Sequence, residues 1–212
     1  MIDFIIDFIL HVDKYIAVFF QNYGAWTYLI LFLIVFIETG LVVFPFLPGD
    51  SLIFVVGALG ATGALDVKFA AFLLMAAAIL GNTQNYYIGK YIGHKAFQIR
   101  DSRFFKKEYL YKTHKFYEKH GGKTIFISRF MPIIRTFAPF VAGIGKMKFV
   151  RFMSYNILGG LFWVLLFIFA GYYFGNIPVV QRNFTLVILA IIFISLLPSI
   201  IVYIQTNFLR RK

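Results

Sequence analysis

Long apolar runs, separated by short polar or basic segments, make up most of the chain. The four longest uninterrupted runs are 25–44, 67–92, 149–175 and 184–205. A helix of about 20 apolar residues crosses the roughly 30 Å hydrocarbon core of a bilayer. The pattern therefore predicts four transmembrane helices.

Two further apolar segments, 45–65 and 124–146, are interrupted by helix-breaking residues. The prolines are Pro45, Pro48, Pro132 and Pro139, and glycines follow at Gly49, Gly143 and Gly145. Proline lacks an N–H donor and clashes with the preceding turn of a helix. Irregular backbone is stable at membrane depth only beside other protein or a water-filled cavity. We therefore predict that each segment forms a re-entrant hairpin.

Residues 1–20 and 94–123 combine apolar positions with charge. In the first segment, polar residues recur at spacings of four, four and three, at Asp3, Asp7, His11 and Lys14. These positions share one helical face, which is typical of a helix lying in the membrane interface. The second segment holds nine Lys and Arg against three Asp and Glu. Because positive residues favour the cytoplasmic side of a membrane, it is predicted to be a cytoplasmic basic segment.

The distribution of positive charge also orients the two halves of the chain. With 94–123 in the cytoplasm, four spans place both termini in the cytoplasm and Asp66 outside. The two hairpins then enter from opposite sides, one in a first repeat, 25–93, and one in a second, 124–205. We predict a single domain over residues 1–212. Its fold class is an all-α integral membrane protein with an inverted repeat, two re-entrant hairpins, about four transmembrane helices and interfacial helices.

The composition favours lipid as the solvent of this chain. Hydrophobic residues make up 60% and charged residues 14%, with a mean hydropathy of +0.79. A soluble domain is usually about 45–50% apolar. The net charge of +12 would suggest nucleic acid in a soluble protein. Here it is expected to face anionic lipid instead, and no nucleic-acid partner is expected. The chain has no cysteine, which excludes disulfides and thiol chemistry.

Recognisable enzyme motifs are missing from the sequence. There is no nucleophile elbow and no phosphate-binding loop. Ser128-Arg129 is similar to part of a lipid-phosphatase motif, but no histidine follows it to act as nucleophile. Three histidines and a glutamate in the basic segment, His94, His114, His120 and Glu118, form no closed ligand set. We expect a transporter and not an enzyme, with no catalytic residues, no metal and no cofactor.

Four charged residues fall within apolar sequence at membrane depth: Glu38, Asp50, Arg129 and Arg135. Each costs about 2.5–3.5 kcal/mol at a helix centre in lipid unless it is paired or wetted. In a functional interpretation the two carboxyl groups carry protons, since burial disfavours their charged form. The two guanidinium groups bind an anionic group such as phosphate, which they match bidentately. The alternative is a buried ion-pair network that only locks the hairpins together.

Other residues near these charges are candidates for lining a polar cavity. They are Pro48, Gly49, Asn82, Asn85, Tyr86, Pro132, Pro139 and Gly143. For the prolines the alternative is an ordinary helix kink. For Asn82, Asn85 and Tyr86 it is hydrogen bonding between helices. Small or polar residues recur every four positions at Gly81, Asn85, Gly89 and Gly93, which lets another helix approach this face closely.

Several of these motifs resemble those of the DedA family, and the likeness covers almost the whole chain. They are Glu38-Thr-Gly-Leu-Val-Val, Phe46-Leu-Pro-Gly-Asp50-Ser-Leu, the Gly-Asn-x-x-Asn-Tyr-x-Ile-Gly stretch from Gly81, and Arg129-Phe-x-Pro-Ile-x-Arg135-Thr-Phe-Ala-Pro-Phe-Val-Ala-Gly. The resemblance implies a bacterial inner-membrane lipid transporter related to eukaryotic lipid scramblases. It implies roles for the four buried charges as the family's essential acids and arginines. In one departure, Asn82 stands where close relatives carry Asp.

The resemblance also implies a class of substrate. Family members recycle undecaprenyl phosphate or phosphatidylethanolamine and support proton-dependent drug tolerance and envelope integrity. We therefore expect a lipid translocase whose partners are membrane lipids, either a polyprenyl phosphate or a phospholipid, with protons as a further candidate. Two alternatives stay open, a proton-coupled exporter of small cations or drugs and a structural membrane organiser. The sequence leaves homo-oligomerisation open.

The predicted topology can be tested with single cysteines, because the native chain has none. Asp66→Cys should react with a membrane-impermeant thiol reagent from the outside, and Lys107→Cys only from the inside. Ser51→Cys should react from the outside if the first hairpin enters from that side. Reaction of Ser51→Cys from the cytoplasm alone would contradict the inverted arrangement.

Overall fold

The computed structural model describes residues 23–41, 49–98, 121–183, 186, 187, 189–191 and 193. Across these residues the chain is helical between turns, with no strand. The helices are α1 Trp26–Gly40, α2 Gly49–Ala61, α3 Val67–Gln98, α4 Gly122–Ser128, α5 Pro132–Ile144, α6 Phe149–Phe174 and α7 Pro178–Arg182. The all-α prediction is therefore confirmed for the described part of the chain.

Two of the predicted transmembrane helices are long and apolar enough to cross a membrane. Val67–Ile92, within α3, and Phe149–Phe174, which is α6, each contain 26 residues. At about 1.5 Å per residue, such a helix exceeds the hydrocarbon thickness. Of the predicted span 25–44, α1 covers 15 residues and ends at Gly40. The predicted span 184–205 and the predicted interfacial helix 1–20 lie wholly or mostly outside the described residues.

The helix α3 extends further than the sequence pattern predicts. It continues to Gln98 and so includes the first residues of the segment predicted to be cytoplasmic and basic. Gly93 alone does not end it, because an isolated glycine inside a helix costs only about 1 kcal/mol relative to alanine. Residues 99–120 of that segment are outside the described part of the chain, and its last two residues, Gly122 and Lys123, begin α4.

The second broken segment forms two helices joined by a short turn. The helix α4 ends at Ser128, a turn follows, and α5 begins with Pro132 at its first position, where no N–H is needed. Pro139, by contrast, does not interrupt the chain, since α5 runs through it to Ile144. It removes only the helical N–H donor to the carbonyl of Arg135.

The first broken segment is described from Gly49 onward, where α2 begins. Pro45 and Pro48, the residues predicted to break it, lie outside the described residues. Ser51 is fully buried, so a cysteine there is covered by protein and should react slowly from either side. Asp66 is exposed and is the better reporter of sidedness.

The chain divides into two compact units, each assembled from separated stretches. Unit 1 comprises 1–35, 47–77 and 162–212, and unit 2 comprises 36–46 and 78–161. Each unit therefore combines sequence from both predicted repeats. The helix of each broken segment packs in its unit against a helix from the other half of the chain.

In unit 1, α2 packs against the second half of α6 through two glycines. A Cβ atom at Gly57 would overlap the carbonyl oxygen of Ile168, and one at Gly171 would overlap the carbonyl oxygen of Phe54. The absence of side chains at these positions lets the two helix backbones approach directly.

The same pair of contacts recurs in unit 2, where α5 packs against the second half of α3. A Cβ atom at Gly143 would overlap the carbonyl oxygen of Tyr86, and one at Gly89 would overlap that of Phe140. In both units each helix offers a carbonyl three residues before its glycine, as in Phe54–Gly57 and Phe140–Gly143. This shared pattern is what two related repeats would produce.

Alanine at these glycines should destabilise the protein although alanine is the better helix former. We expect Gly57→Ala and Gly143→Ala each to lower the free energy of unfolding by about 1–3 kcal/mol, because the new methyl group forces the paired backbones apart. Thermal unfolding in detergent measures this. Leu158→Ala, on the exposed face of α6, is the control and should change the unfolding temperature little. Unchanged stability of both glycine variants would contradict the backbone contacts.

Candidate functional site

A buried ion pair joins the end of α1 to the start of α5 in unit 2. Nη2 of Arg135 donates a hydrogen bond to Oε1 of Glu38, and both residues are buried. The pair links the two predicted repeats, since its members are 97 residues apart in the sequence. A charge-assisted bond between the two groups offsets part of the cost of burying them.

Asn85 on α3 donates hydrogen bonds to the backbone beside both members of the ion pair, at Thr39 after Glu38 and at Thr136 after Arg135. Its side-chain Nδ2 donates to the carbonyl oxygen of Thr136 at 2.6 Å and to that of Thr39 at 3.4 Å. Its Oδ1 is buried and has no hydrogen-bond partner among the described residues. One amide therefore positions both α1 and α5 beside the ion pair.

Close approach of α1 and α3 depends on two more glycines. A Cβ atom at Gly81 would overlap the hydroxyl oxygen of Thr39, and one at Gly40 would lie 3.3 Å from Cα of Gly81. The four-residue spacing of small residues on α3 predicts a close helix contact. The structure shows that α1 meets this face at Gly81 and that α5 meets it at Gly89.

Arg129, in the turn between α4 and α5, is buried with neutral partners. Its Nη2 donates to Oδ1 of Asn156 at 2.6 Å, to the carbonyl oxygen of Asn156 at 3.2 Å and to that of Ala78 at 3.4 Å. Its Nε has no hydrogen-bond partner among the described residues, and it forms no ion pair there. Gly159 and Gly160 leave the room that this guanidinium group occupies.

Unit 2 consequently holds an excess of buried positive charge. Among its described residues the buried charged side chains are Glu38, Arg129 and Arg135. The two arginines are close enough to repel each other electrostatically. One carboxylate bound to Arg135 leaves the charge of Arg129 without an acidic partner, which is costly in a medium of low dielectric constant.

Asn82 belongs to a neutral network around the same arginine. Its Nδ2 donates to Oδ1 of Asn156 at 3.1 Å, while Nδ2 of Asn156 donates to the carbonyl oxygen of Ile79 at 3.0 Å and to Oγ1 of Thr83 at 3.2 Å. At the position where the family resemblance implies an acid, this chain has an amide. An amide does not neutralise Arg129.

Asp50 lies in unit 1, at the second residue of α2. It is buried, and its Oδ1 accepts a hydrogen bond of 2.9 Å from the indole Nε1 of Trp163. A carboxylate in the first turn also interacts favourably with the helix dipole. The structure thus places three of the four predicted charges in unit 2 and the fourth, Asp50, in unit 1.

The sequence analysis did not identify Asn156 or Trp163 as site residues. The signal for Asn156 is a lone amide inside the apolar run 149–175, the same kind of signal that singled out Asn82 and Asn85. For Trp163 the sequence carries no comparable signal, because a tryptophan in a transmembrane helix is ordinarily read as lipid-facing or interfacial.

The remaining candidates for a cavity lining are placed as follows. Gly49 is buried at the start of α2, and Pro139 and Gly143 are buried within α5. Pro132 begins α5, and Pro48 is outside the described residues. Tyr86 is buried, donates from its hydroxyl to the carbonyl oxygen of Met147 at 2.6 Å and stacks on Phe152. Asn82 and Asn85 donate hydrogen bonds to neighbouring helices, and Tyr86 donates to the connection between α5 and α6.

Known proteins resemble this chain along most of its length. It is 56% identical over 203 residues to the protein DedA of Escherichia coli K12, covering 95% of this chain and 93% of that protein. An uncharacterised membrane protein of Mycobacterium tuberculosis is 46% identical over 173 residues, 81% of this chain and 76% of the relative. The inner membrane protein YqjA of Escherichia coli K12 is 37% identical over 152 residues, 72% of this chain and 69% of YqjA.

No solved structure matches the chain. The VTT domain family matches residues 47–173, which include α2 to α5, all but the last residue of α6, and three of the four buried charges, Asp50, Arg129 and Arg135. The fourth, Glu38, lies within the longer likeness to DedA, which spans 95% of the chain. This chain therefore belongs to the DedA family of membrane proteins with a VTT domain.

Proposed function

We propose that this protein is a lipid translocase that moves an anionic headgroup across the bacterial inner membrane. The observation that carries the proposal is the buried guanidinium group of Arg129, which has only amide and carbonyl partners among the described residues. A buried cation without a counter-charge is destabilising until an anion reaches it. This imbalance favours transient binding of an anion, because the anion does not have to displace a carboxylate from Arg129.

The chemistry of the ligand follows from the two arginines. A phosphate monoester carries a charge of about −1.5 to −2 near neutral pH and three acceptor oxygens. Two guanidinium groups suit this headgroup better than a zwitterionic diester, since they supply charge and forked donors together. Undecaprenyl phosphate is therefore the first proposed substrate and phosphatidylethanolamine the second. The lipid tail would remain in the bilayer.

The pair Glu38–Arg135 provides the proposed link to protons. When Glu38 is ionised, its carboxylate accepts a hydrogen bond from Arg135 and neutralises the charge of Arg135. When Glu38 is protonated, the charge of Arg135 becomes available to the headgroup. Proton uptake would thereby alter how strongly the site holds an anion. Asp50 on α2 lies in unit 1, where its carboxylate accepts a hydrogen bond from the indole of Trp163.

The proposed membrane arrangement has two re-entrant hairpins in an inverted repeat, with both termini in the cytoplasm. The recurrence of the same glycine–carbonyl contacts in units 1 and 2 supports the repeat. The name of YqjA, an inner membrane protein, supports the location. Inverted repeats with broken helices are a frequent plan among transporters.

Binding of purified protein in nanodiscs tests the substrate class. We expect undecaprenyl phosphate to bind more tightly than phosphatidylethanolamine by native mass spectrometry, and Arg129→Ala to remove most of the difference. Arg129→Lys keeps the charge but not the fork, so it should bind with intermediate affinity. Arg182→Ala, which removes an exposed arginine, is the control and should bind like the native chain. Equal affinity for both lipids, insensitive to Arg129, would favour unselective scrambling instead.

Transport in liposomes with and without a pH gradient tests the role of the ion pair. Glu38→Gln keeps an acceptor oxygen for Arg135 but cannot titrate, so we expect lipid binding to persist and the response to the gradient to vanish. Glu38→Ala removes the acceptor as well and should lower the free energy of unfolding by about 3–5 kcal/mol. If Glu38→Gln and Arg135→Lys lose lipid binding equally, the pair is only structural.

A further inference from the structure

A second basic feature of unit 2 lies apart from the buried arginines. A cavity of about 570 Å³ opens where α3 passes the connection between α5 and α6. The helix α3 contributes Tyr87, Lys90 and Tyr91 to its lining, and the connection with the start of α6 contributes Lys146, Lys148 and Phe149. The hydrogen bond from Tyr86 to the carbonyl oxygen of Met147 lies in the same lining. The volume is within the range of ordinary ligand sites.

The described lining of the cavity is basic. Three of the described lining residues are lysines, and none of the described ones is acidic. All three lysines are exposed, and the ammonium groups of Lys90 and Lys148 have no hydrogen-bond or ion-pair partner in the described part of the chain. Like charges that line one cavity repel each other, and an anion bound between them would remove that repulsion.

The backbone at Lys146 adds an independent observation. This residue has φ 54°, in the left-handed region. It follows the end of α5, where its N–H donates to the carbonyl oxygen of Gly143 and that of Met147 donates to the carbonyl oxygen of Ala142. Glycine is the usual residue at such a helix end because it has no Cβ to strain. A lysine is uncommon at such a helix end, and this one lines the cavity.

The aromatic residues indicate that the ligand is a lipid. The side chains of Tyr87 and Tyr91 are 50% and 63% exposed. Tyrosine is favoured at the level of lipid headgroups, where one end of the side chain is apolar and the other is wet. Lysines at that level attract phosphate, as compact charges that accept varied geometries.

We propose that this cavity, defined by Lys90, Lys146 and Lys148 with Tyr87 and Tyr91, binds the phosphate headgroup of an anionic membrane lipid at the interface. The site is separate from Arg129 and Arg135, which are buried. Lipid binding in this cavity does not require transport, so this proposal can be tested independently of the proposed translocation. Lysines that served only to orient the chain in the membrane would have no reason to converge on one cavity from α3 and from the connection after α5.

Nanodiscs of phosphatidylcholine with and without phosphatidic acid provide the probe. We expect the double variant Lys90→Gln/Lys148→Gln to lose about tenfold in affinity for phosphatidic acid by native mass spectrometry. Lys68→Gln/Arg182→Gln removes the same charge from exposed residues outside the cavity and should bind like the native chain. An equal loss in the control variant would show general attraction of anionic lipid and overturn the proposal, as would unchanged affinity of the cavity variant.

Two further experiments test the role of Lys146 and the assignment of the ligand to lipid. Lys146→Gly relieves the strained backbone, so we expect a higher unfolding temperature together with weaker binding of phosphatidic acid. A gain in stability with full binding would mean that Lys146 is only a turn residue, and it would contradict the site. Inorganic phosphate, added to phosphatidylcholine nanodiscs, should compete only weakly for the site. Binding of inorganic phosphate as tight as that of phosphatidic acid would overturn the assignment to lipid.

Discussion

A charge buried at membrane depth must find a partner, and the organisation of unit 2 follows from how its three buried charges meet that requirement. Glu38 and Arg135 form an ion pair. Arg129 donates hydrogen bonds to carbonyl oxygens and to one amide, Asn156, while its Nε has no hydrogen-bond partner among the described residues. Neutral hydrogen bonds hold a guanidinium group in place without neutralising it, and the proposal of anion binding rests on this difference between holding and neutralising a charge.

The packing that supports these contacts rests on missing side chains. Where Gly57 meets Ile168 and Gly143 meets Tyr86, a helix backbone touches a carbonyl oxygen of its neighbour. Lipid provides no hydrophobic force that would press two apolar helices together, so close van der Waals contact has to supply the association. The helices of the two broken segments are thereby held in defined registers. In unit 2 that register sets where Arg135 can meet Glu38, and Asn85 secures it with hydrogen bonds to both neighbouring backbones.

The family resemblance implies one departure in this chain, at Asn82, and it affects the charge around Arg129. Asn82 places an amide beside Asn156 and not a carboxylate, so the charge balance around Arg129 is more positive than an acid would make it. Asn156 is central to this arrangement, since its side chain accepts from both Asn82 and Arg129 and donates toward α3. A neutral network of this kind can keep its geometry across a wide range of pH. Among the described residues the buried carboxyl groups are those of Glu38 and Asp50.

The sequence by itself determined the features that depend on local chemistry. Hydropathy and run length predicted the helices at 67–92 and 149–174, and the motifs around the four buried charges indicated the family. Proline was a less certain guide, because Pro132 begins a helix whereas Pro139 is accommodated inside one. Only the tertiary structure decided which acid meets which base. It also decided that each broken segment packs on the opposite half of the chain, and that Lys90 and Lys148 share a cavity. These pairings join residues far apart in the sequence, so they depend on which helix faces come together, and no local pattern carries that information.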